Sequence, residues 1–275
     1  MKVAIVGAGA VGSGIARMFD DVVLYDEPKR VGTRAGVNAA DVAFVCVPTP
    51  SAPDGACDTS IVEDVVAWLA TPLVILRSTV SVGTTRRLAE AYHKQIVFQP
   101  EYGPAETPDH PFNDLRKVRW IILGGERPAT KAAARVWQTT YSSDITIMQT
   151  SYEAAELCKY MENAFLATKV TFCNEFFDLA QIFGVDYEEL RELWLLDPRI
   201  GRSHTFVFPD ARGFAGKCLP KDLAAIIQSA TKAGYRPSLL DEVRRTNEKI
   251  RAKSEAAISS IGGRPPIDSV RSGSD

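Results

Sequence analysis

The segment VAIVGAGAVGSG near the amino terminus restricts the possible folds of this chain more than any other stretch. Gly7, Gly9 and Gly12 have the spacing G-x-G-x-x-G and directly follow an apolar run with the composition of a β-strand. Gly7 permits a tight turn, Gly9 lets a pyrophosphate approach the backbone, and Gly12 lets a helix pack closely on the strand. The segment therefore predicts a strand, a turn and a helix whose first N–H groups bind the phosphates of a dinucleotide.

An acidic residue at the end of the next apolar run favours one dinucleotide over another. Asp26 closes the run DVVLYD, where its carboxylate could bind both hydroxyls of an adenosine ribose. The same carboxylate would repel a 2′-phosphate, so NAD is favoured over NADP, although the nearby cations Lys29 and Arg30 soften that preference. The NAD contacts predicted from this part of the chain are Gly7, Gly9, Ala10, Val11, Gly12, Asp26 and Arg30.

Apolar runs alternate with segments of helical character through the first half of the chain, which predicts a parallel sheet flanked by helices. Six strands are predicted: KVAIVG from Lys2, DVVLYD ending at Asp26, DVAFVCV ending at Val47, PLVILRS ending at Ser78, QIVFQP ending at Pro100 and RWIILGG from Arg119. Most of these runs are almost wholly apolar, as expected where helices cover both faces of the sheet. We therefore predict a Rossmann-like α/β domain over residues 1–150.

Beyond residue 150 the sequence becomes helical. Residues 151–183 contain no proline or glycine and repeat apolar residues at helical spacing, which predicts one helix of roughly 50 Å. This helix is too apolar for a solvated surface element, so we expect it to form the centre of a second domain or the interface of a homodimer. Further helices are predicted after Pro220 and from Leu239. The all-helical domain would cover residues 151–260, followed by a flexible tail at 261–275.

Composition and charge argue against several classes of function. The formal net charge of −2 provides no basic surface for nucleic acid, and no apolar run approaches the roughly 20 residues that span a membrane. The five cysteines are an odd number without the spacing of metal ligands, and no secretory signal precedes the first strand. A cytoplasmic protein with reduced thiols and no metal is therefore expected.

The stretch RGFAGKCLPKD places Cys218 between a glycine-bearing turn and a lysine–aspartate pair. From these residues alone, Cys218 is either a nucleophile or a small core residue beside a tight turn. Pro220 suits the first position of a helix, which would place Cys218 just ahead of a helix N-terminus. The helix dipole, Lys217 and Lys221 would then favour its thiolate form.

Several other motifs follow one another along the chain: VCVPTP (45–50), DGACDTS (54–60), RSTVSVGTT (77–85), QPEY (99–102), AAELCKYMENAFLATKVTFCNE (154–175) and DPRIG (197–201). Together with the cysteine stretch they resemble the UDP-glucose/GDP-mannose dehydrogenase family over most of residues 1–250. The helix motif is closer to the UDP-glucose branch. The resemblance implies two successive NAD-dependent oxidations of a sugar primary alcohol to a carboxylate, with UDP-glucose as the default substrate and UDP-glucuronate as the product.

The resemblance also implies a role for each matching residue. Cys218 would add to the aldehyde to form a thiohemiacetal and then a thioester, while Lys159 and Asn163 would hold an oxyanion and a catalytic water. Asp222 would assist proton transfer and Glu101 thioester hydrolysis. The implied catalytic residues are Cys218, Lys159, Asn163, Asp222, Glu101 and Thr79. The implied substrate contacts are Glu101, Tyr102, Lys159, Asn163, Arg199, Gly213 and Phe214, with Arg199 reaching a neighbouring subunit. Val47, Pro48, Thr49 and Thr79 join the NAD contacts.

Three departures from the family pattern leave the substrate open. The segment between Asp26 and VCVPTP is short, so the sheet is expected to be trimmed. Ala215 and Lys217 replace the small residues that are usual in the cysteine stretch. The family's third, nucleotide-gripping domain would begin where this sequence ends, so we expect a second polypeptide to supply it, a dimer partner to compensate for it, or the substrate to be different.

Three interpretations follow from these departures. The first is a nucleotide-sugar 6-dehydrogenase. The second keeps the same chemistry but applies it to a smaller sugar, a nucleoside or another alcohol. The third is a catalytically idle NAD-binding module that acts through a partner protein.

Overall fold

The computed structural model describes residues 1–103, 114–141 and 145–260. Its strands are β1 (Val3–Val6), β2 (Val22–Tyr25), β3 (Val42–Val45), β4 (Leu73–Leu76), β5 (Ile96–Phe98), β6 (Trp120–Gly124) and β7 (Thr146–Thr150). Its α-helices are α1 (Ala10–Ala16), α2 (Arg34–Asn38), α3 (Ser60–Trp68), α4 (Thr84–Tyr92), α5 (Arg127–Gln138), α6 (Tyr152–Phe183), α7 (Tyr187–Trp194), α8 (Leu219–Lys232) and α9 (Ser238–Ser260). The predicted fold class, a Rossmann-like sheet followed by a helical region with a long helix, is confirmed.

The strands form one sheet in the order β2-β1-β3-β4-β5-β6-β7. All neighbouring pairs are parallel except β5 and β6, which are antiparallel through the single pairing of Phe98 with Gly124. The predicted parallel sheet is therefore confirmed, with this one antiparallel pairing as its exception. All six predicted strands are present with shorter bounds, whereas β7 was missed because its sequence, TIMQT, lacks a continuous apolar run.

The central strands are buried on both faces, which is why their sequences are almost wholly apolar. In β1, Ala4 and Val6 belong to one core cluster, and Val3 and Ile5 belong to the other. This alternation follows from the two-residue period of a strand. The short segment after β2 contains only the five-residue helix α2, so β2 forms one edge of the trimmed sheet.

The compact units of the chain are Met1–Met161 and Glu162–Asp275, so the division falls inside α6. We call them the sheet unit and the helical unit. The first turns of α6 belong to the sheet unit because they pack on β6. Ala155 is fully buried in the core, and a Cβ added to Gly124 would lie 2.5 Å from its side chain. The predicted tail, 261–275, lies outside the described residues.

The helical unit contains a small core of its own. Phe214, Leu223, Ile227 and Val243 pack with two alanines of α6, which joins α6, α8 and α9 around one apolar cluster. The predicted helices are present within a few residues of their expected ends, and α7 is an additional one. Asp186 caps α7 by accepting hydrogen bonds from the N–H groups of Glu188 and Glu189. In the described part of the chain, no helix is both long and apolar enough to span a membrane.

Candidate active site

The glycine turn lies at the carboxyl ends of β1 and β3, where the order of the sheet reverses direction. Gly7 has a φ of +99°, and a Cβ there would lie 2.5 Å from the Cys46 carbonyl oxygen. A Cβ at Gly12 would lie 1.9 Å from the Gly7 carbonyl oxygen. Gly9, by contrast, has no described atom within 4 Å of an added Cβ. The turn is therefore closed at two glycines and open at the third, which fits a phosphate bound at the start of α1.

Asp26 lies beside this turn, as the sequence predicts. Its Oδ2 accepts a hydrogen bond from the Ala8 N–H at 2.9 Å, and its Oδ1 accepts one from the Lys29 N–H at 3.0 Å. The Lys29 ammonium donates to the Ala8 carbonyl at 2.5 Å and lies 3.8 Å from the carboxylate. Arg30 is exposed and has a left-handed φ of 55°. The expected ribose end of the site thus carries an anion with cations next to it.

The loops after β3 and β4 complete this edge of the sheet. Thr49 is buried, Pro48 is exposed and Val47 is partly buried. The Ser78 hydroxyl donates to the Val47 carbonyl at 2.7 Å, which ties the two loops together. Thr79 is partly buried, and its carbonyl accepts a hydrogen bond from the Cys57 thiol at 3.2 Å.

Glu156 supports the loop between β4 and α4, and sequence reasoning missed it. It lies on α6 with no exposed surface, and its carboxylate accepts hydrogen bonds from the N–H groups of Gly83 at 2.6 Å and Thr85 at 2.8 Å. Burial raises the pKa of this carboxyl, while the bonds from Thr85 and Gly83 lower it. The position of Glu156 inside the motif AAELCKY gave no local sign of these partners.

Three predicted site residues come together in the sheet unit. The Glu101 carboxylate pairs with the buried Arg77 guanidinium and accepts hydrogen bonds from the N–H groups of Tyr102 at 2.9 Å and Gly103 at 2.8 Å. The Lys159 ammonium lies 5.1 Å from the centre of the Tyr102 ring. A small cavity beside them is lined by Arg77, Gln99, Glu101, Tyr102, Trp120 and Tyr141, among others. This arrangement places a carboxylate, a phenol and an ammonium group together.

Cys218 occupies the N-cap position of α8, so its thiol lies at a helix N-terminus as predicted. The helix begins at Leu219, one residue earlier than expected, which makes Pro220 its second residue. The Asp222 side chain in the first turn is 2% exposed. It accepts hydrogen bonds from Asn163 Nδ2 at 2.6 Å and from Lys221 Nζ at 2.6 Å. The structure therefore joins two predicted catalytic residues and engages Lys221 with Asp222.

The remaining predicted substrate contacts are placed differently. Arg199 has a side chain that is 86% exposed and bonded to Asp197 within its own loop. Phe214 is buried, with its ring in the core of the helical unit. Gly213 has a φ of +76° and precedes this anchor. In this structure Phe214 stabilises the cysteine loop, and its contact with a substrate stays a prediction.

Cys46 and Cys173 lie in environments that do not favour a thiolate. Part of its residue surface is exposed, but desolvation raises the pKa of the thiol to about 12, against a smaller lowering by Arg77. Burial also raises the pKa of Cys173, which packs in a core cluster with Tyr187. Cys57 is also buried. Among these cysteines, Cys218 is the one at a helix N-terminus.

Comparison with known proteins now identifies the family. Residues 28–142 match the NAD-binding domain of the UDP-glucose/GDP-mannose dehydrogenase family, and residues 153–249 match its central domain. The chain belongs to this family. Its members are NAD-dependent nucleotide-sugar dehydrogenases, and NAD is the cofactor of the sheet unit. The match to the NAD-binding domain begins after the glycine turn and Asp26, which the structure nevertheless places at the expected edge.

Individual relatives agree with this assignment. The UDP-glucose 6-dehydrogenase TuaD of Bacillus subtilis is 30% identical over 84% of this chain and 52% of its own length. The UDP-glucose 6-dehydrogenase AglM of Haloferax volcanii is 30% identical over 87% of this chain and 68% of its own length. The solved structure of a UDP-glucose dehydrogenase from the archaeon Pyrobaculum islandicum has a TM-score of 0.80, with 28% identity over 95% of this chain and 71% of that one. The chain thus spans about half the length of some curated relatives.

Proposed function

We propose that this chain oxidises the primary alcohol of a nucleotide sugar to a carboxylate in two NAD-dependent steps through a thioester on Cys218. UDP-glucose is the proposed substrate and UDP-glucuronate the proposed product. The observation that carries the proposal is the placement of Cys218 at the N-cap of α8, whose first turn holds Asp222 bonded to Asn163. A helix N-terminus favours a thiolate, and a thiolate is the form that attacks a carbonyl.

The number of hydrides that the substrate can transfer explains why a thiol is needed. When bound, NAD accepts one hydride in each oxidation. The first oxidation removes a hydride and a proton from the alcohol and leaves an aldehyde. The aldehyde has no further hydride to transfer until a nucleophile adds to its carbonyl, so the Cys218 thiolate forms a thiohemiacetal with it. Loss of hydride and a proton then gives a thioester, and water cleaves it to the acid and the free thiol.

The resemblance to the family assigns roles in charge stabilisation and proton transfer to the other residues. Lys159 provides a cation for a developing oxyanion, and Asn163, four residues later on the same helix, provides an amide donor. Asp222, held by Asn163 and Lys221, provides a carboxylate for proton transfer. Glu101, fixed by Arg77 and two backbone N–H groups, would direct the hydrolytic water.

A stoichiometry experiment tests this function. Purified protein with limiting UDP-glucose and excess NAD should produce two NADH per sugar, measured by absorbance, and UDP-glucuronate, measured by mass spectrometry. No turnover of UDP-glucose together with turnover of a smaller sugar, a nucleoside or another alcohol would favour the second interpretation. NAD binding without oxidation of any substrate in such a panel would contradict the proposal and favour an idle module.

We also propose a homodimer formed through α6. Several large apolar residues of this helix are exposed, namely Leu157, Met161, Phe165, Phe172, Phe176, Leu179, Ile182 and Phe183. Most recur at three- and four-residue spacing, so they share one helix face that a second copy could cover. Light scattering should give a mass near twice the 30.0 kDa of one chain, and Phe165→Glu should reduce it to that of a monomer. A wild-type monomer would contradict this proposal and the intersubunit role of Arg199.

A reducing compartment, the cytosol, is the proposed location. All five cysteines lie in the described part of the chain, and no disulfide joins any of them. A nucleophilic thiol at position 218 also requires a compartment in which thiols remain reduced. Fractionation of cells, with the protein recovered outside the cytosol, would contradict this location.

A further inference from the structure

We infer that Asn247 is a positioning residue for Cys218 and acts through the backbone of the cysteine loop, residues 212–218. The inference rests on the function proposed above. Asn247 lies on α9 and is 5% exposed. Its side-chain oxygen accepts a hydrogen bond from the Phe214 N–H at 2.7 Å, and its amide nitrogen donates to the Phe214 carbonyl at 3.0 Å. One side chain therefore satisfies both backbone groups of a loop residue, in the way that a paired strand would.

The neighbouring glycine shows how closely Asn247 approaches the loop. Gly213 has a φ of +76°, and a Cβ there would lie 2.5 Å from Asn247 Oδ1 and 3.2 Å from Arg251 Cγ. Any other residue at 213 would push this amide away, besides adopting a strained backbone conformation. The contact between Asn247 and Phe214 therefore depends on the glycine that precedes Phe214.

A second asparagine holds the residues before this contact. Asn174 on α6 is 1% exposed, and its side-chain oxygen accepts hydrogen bonds from the Gly213 N–H at 3.1 Å and Arg212 Nε at 2.9 Å. Arg212 also donates to the Asn174 carbonyl at 2.8 Å and to Asp178 at 2.7 Å. Residues 212–214 are thus fixed on both sides by buried amides of α6 and α9.

The position of the thiol follows from the two ends of the loop. At one end, Phe214 is held by Asn247 and packs in the same cluster as Leu223 of α8. At the other end, Cys218 caps α8 itself. The short span between them contains Gly216, whose φ of +80° adds a turn. A reacting sulfur must lie within about 3–3.5 Å of its carbonyl carbon, and a displacement of about 1 Å can lower a rate about a hundredfold.

Two variants and one control test the inference. Asn247→Ala removes both hydrogen bonds. Asn247→Asp keeps the volume and the acceptor for the Phe214 N–H but places a carboxylate oxygen against the Phe214 carbonyl. Ile250→Ala, at a position that is 6% exposed on the same helix, removes buried apolar surface without touching these bonds. Thermal denaturation of all three variants identifies which of them fold. If Asn247→Ala does not fold, Asn247→Asp carries the test.

The first readout is the alkylation rate of Cys218 by iodoacetamide at neutral pH, measured by peptide mass spectrometry. Cys158, in the sheet unit, provides an internal reference. We expect the rate at Cys218 to fall about tenfold in both Asn247 variants, with its pH profile moved to higher pH, because the thiol loses its place at the helix end. It should stay at the wild-type value in Ile250→Ala. A wild-type or faster rate at Cys218 in a folded Asn247 variant would overturn the inference.

The second readout separates this inference from the proposed function. The ratio of the second oxidation rate to the first should fall about tenfold or more in the Asn247 variants, because the thiol takes part only in the second. An unchanged ratio would also overturn the inference. If Cys218→Ser still made the acid, the proposed function would fail instead, while the alkylation rates would still decide the role of Asn247.

Discussion

The glycine turn at residues 7–12 and the cysteine loop at residues 212–218 both lead into a helix N-terminus, but they present different groups there. Gly9 caps α1 without a side chain, and the space in front of it is open. Cys218 occupies the N-cap position of α8 and carries a thiol. The same partial positive charge of a helix end can therefore hold a phosphate at one loop and a thiolate at the other. The residue at the N-cap decides which of the two is possible.

The two loops are also held differently. The glycine turn is closed by backbone, because Gly7 approaches the Cys46 carbonyl and Gly12 approaches Gly7. The cysteine loop is closed by buried amide side chains, Asn174 and Asn247. A turn closed by backbone is specified by glycine spacing alone, whereas a loop closed by side chains depends on residues far away in the chain.

The largest expected effect comes from removing the Cys218 thiol, the group that distinguishes the cysteine loop from the glycine turn. Cys218→Ser should lower the rate of acid formation about 10³-fold or more, because the hydroxyl is a far weaker nucleophile than a thiolate. The reaction should stop near one NADH per sugar, measured by absorbance and product analysis. Cys158→Ser, at a partly exposed cysteine of the sheet unit, is the matched control. Full acid formation by Cys218→Ser would remove the thioester mechanism.

A pair of alanine variants tests whether openness at Gly9 serves the cofactor. Gly9→Ala has room for its methyl group in the fold, so its stability should match wild type within about 0.5 kcal/mol. Its affinity for NADH should fall about tenfold or more, because the methyl group occupies the phosphate position. Gly7→Ala should lose about 1–3 kcal/mol of stability as well, because its Cβ meets backbone.

Thermal denaturation and NADH fluorescence titration would separate these two effects. A Gly9→Ala protein that binds NADH as tightly as wild type would contradict the assignment of Gly9 to the phosphate site.

A second pair of variants tests how the cysteine loop is closed. Gly213→Ala combines a positive φ with a clash against Asn247 Oδ1, so we expect a loss of about 2–3 kcal/mol. Gly184→Ala has a similar φ of +65° but no described atom within 4 Å of the new Cβ, so it should lose only about 1 kcal/mol. Urea denaturation measures both losses. Equal losses of stability in the two variants would mean that Asn247 moves aside without any loss of stability.

The smallest effect concerns an ion pair on the surface of the sheet unit. The Arg86 guanidinium bonds Glu153 at 2.6 Å and lowers the pKa of that carboxyl. A lowered native pKa means that the pair stabilises the fold above about pH 4.5 and that this contribution is lost as the pH falls through the native value. Both side chains are more than a third exposed, so solvent screens the pair.

Glu153→Gln should therefore lower the melting temperature at pH 7 by about 1 °C or less, with no difference from wild type at pH 3. Denaturation scans across this range provide the measurement. A larger loss at pH 3 than at pH 7 would contradict the sign.

Much of the fold could be predicted because it depends on local patterns. The apolar runs around Val3–Val6 and Val42–Val45 gave the central strands, and the run without glycine or proline gave α6. The antiparallel pairing of β5 with β6 and the polar edge strand β7 could not be predicted in this way. A strand's direction depends on the path of the connecting chain, and an edge strand needs few apolar residues.

Some features of the candidate site likewise depend on local sequence patterns, and others depend on tertiary packing. Glycine spacing, the acid after β2 and a cysteine ahead of a proline are local signals. The sequence by itself therefore determined the class of cofactor and the position of Cys218 at a helix N-terminus. Only the tertiary structure decided which buried side chains hold the loops of the site. Glu156 bonds Gly83 and Thr85, which are 73 and 71 positions away, and Asn247 bonds Phe214, which is 33 positions away. A single polar residue within a helix carries no local sign of its partner, since hydrogen bonds at such separations depend on how the whole chain packs.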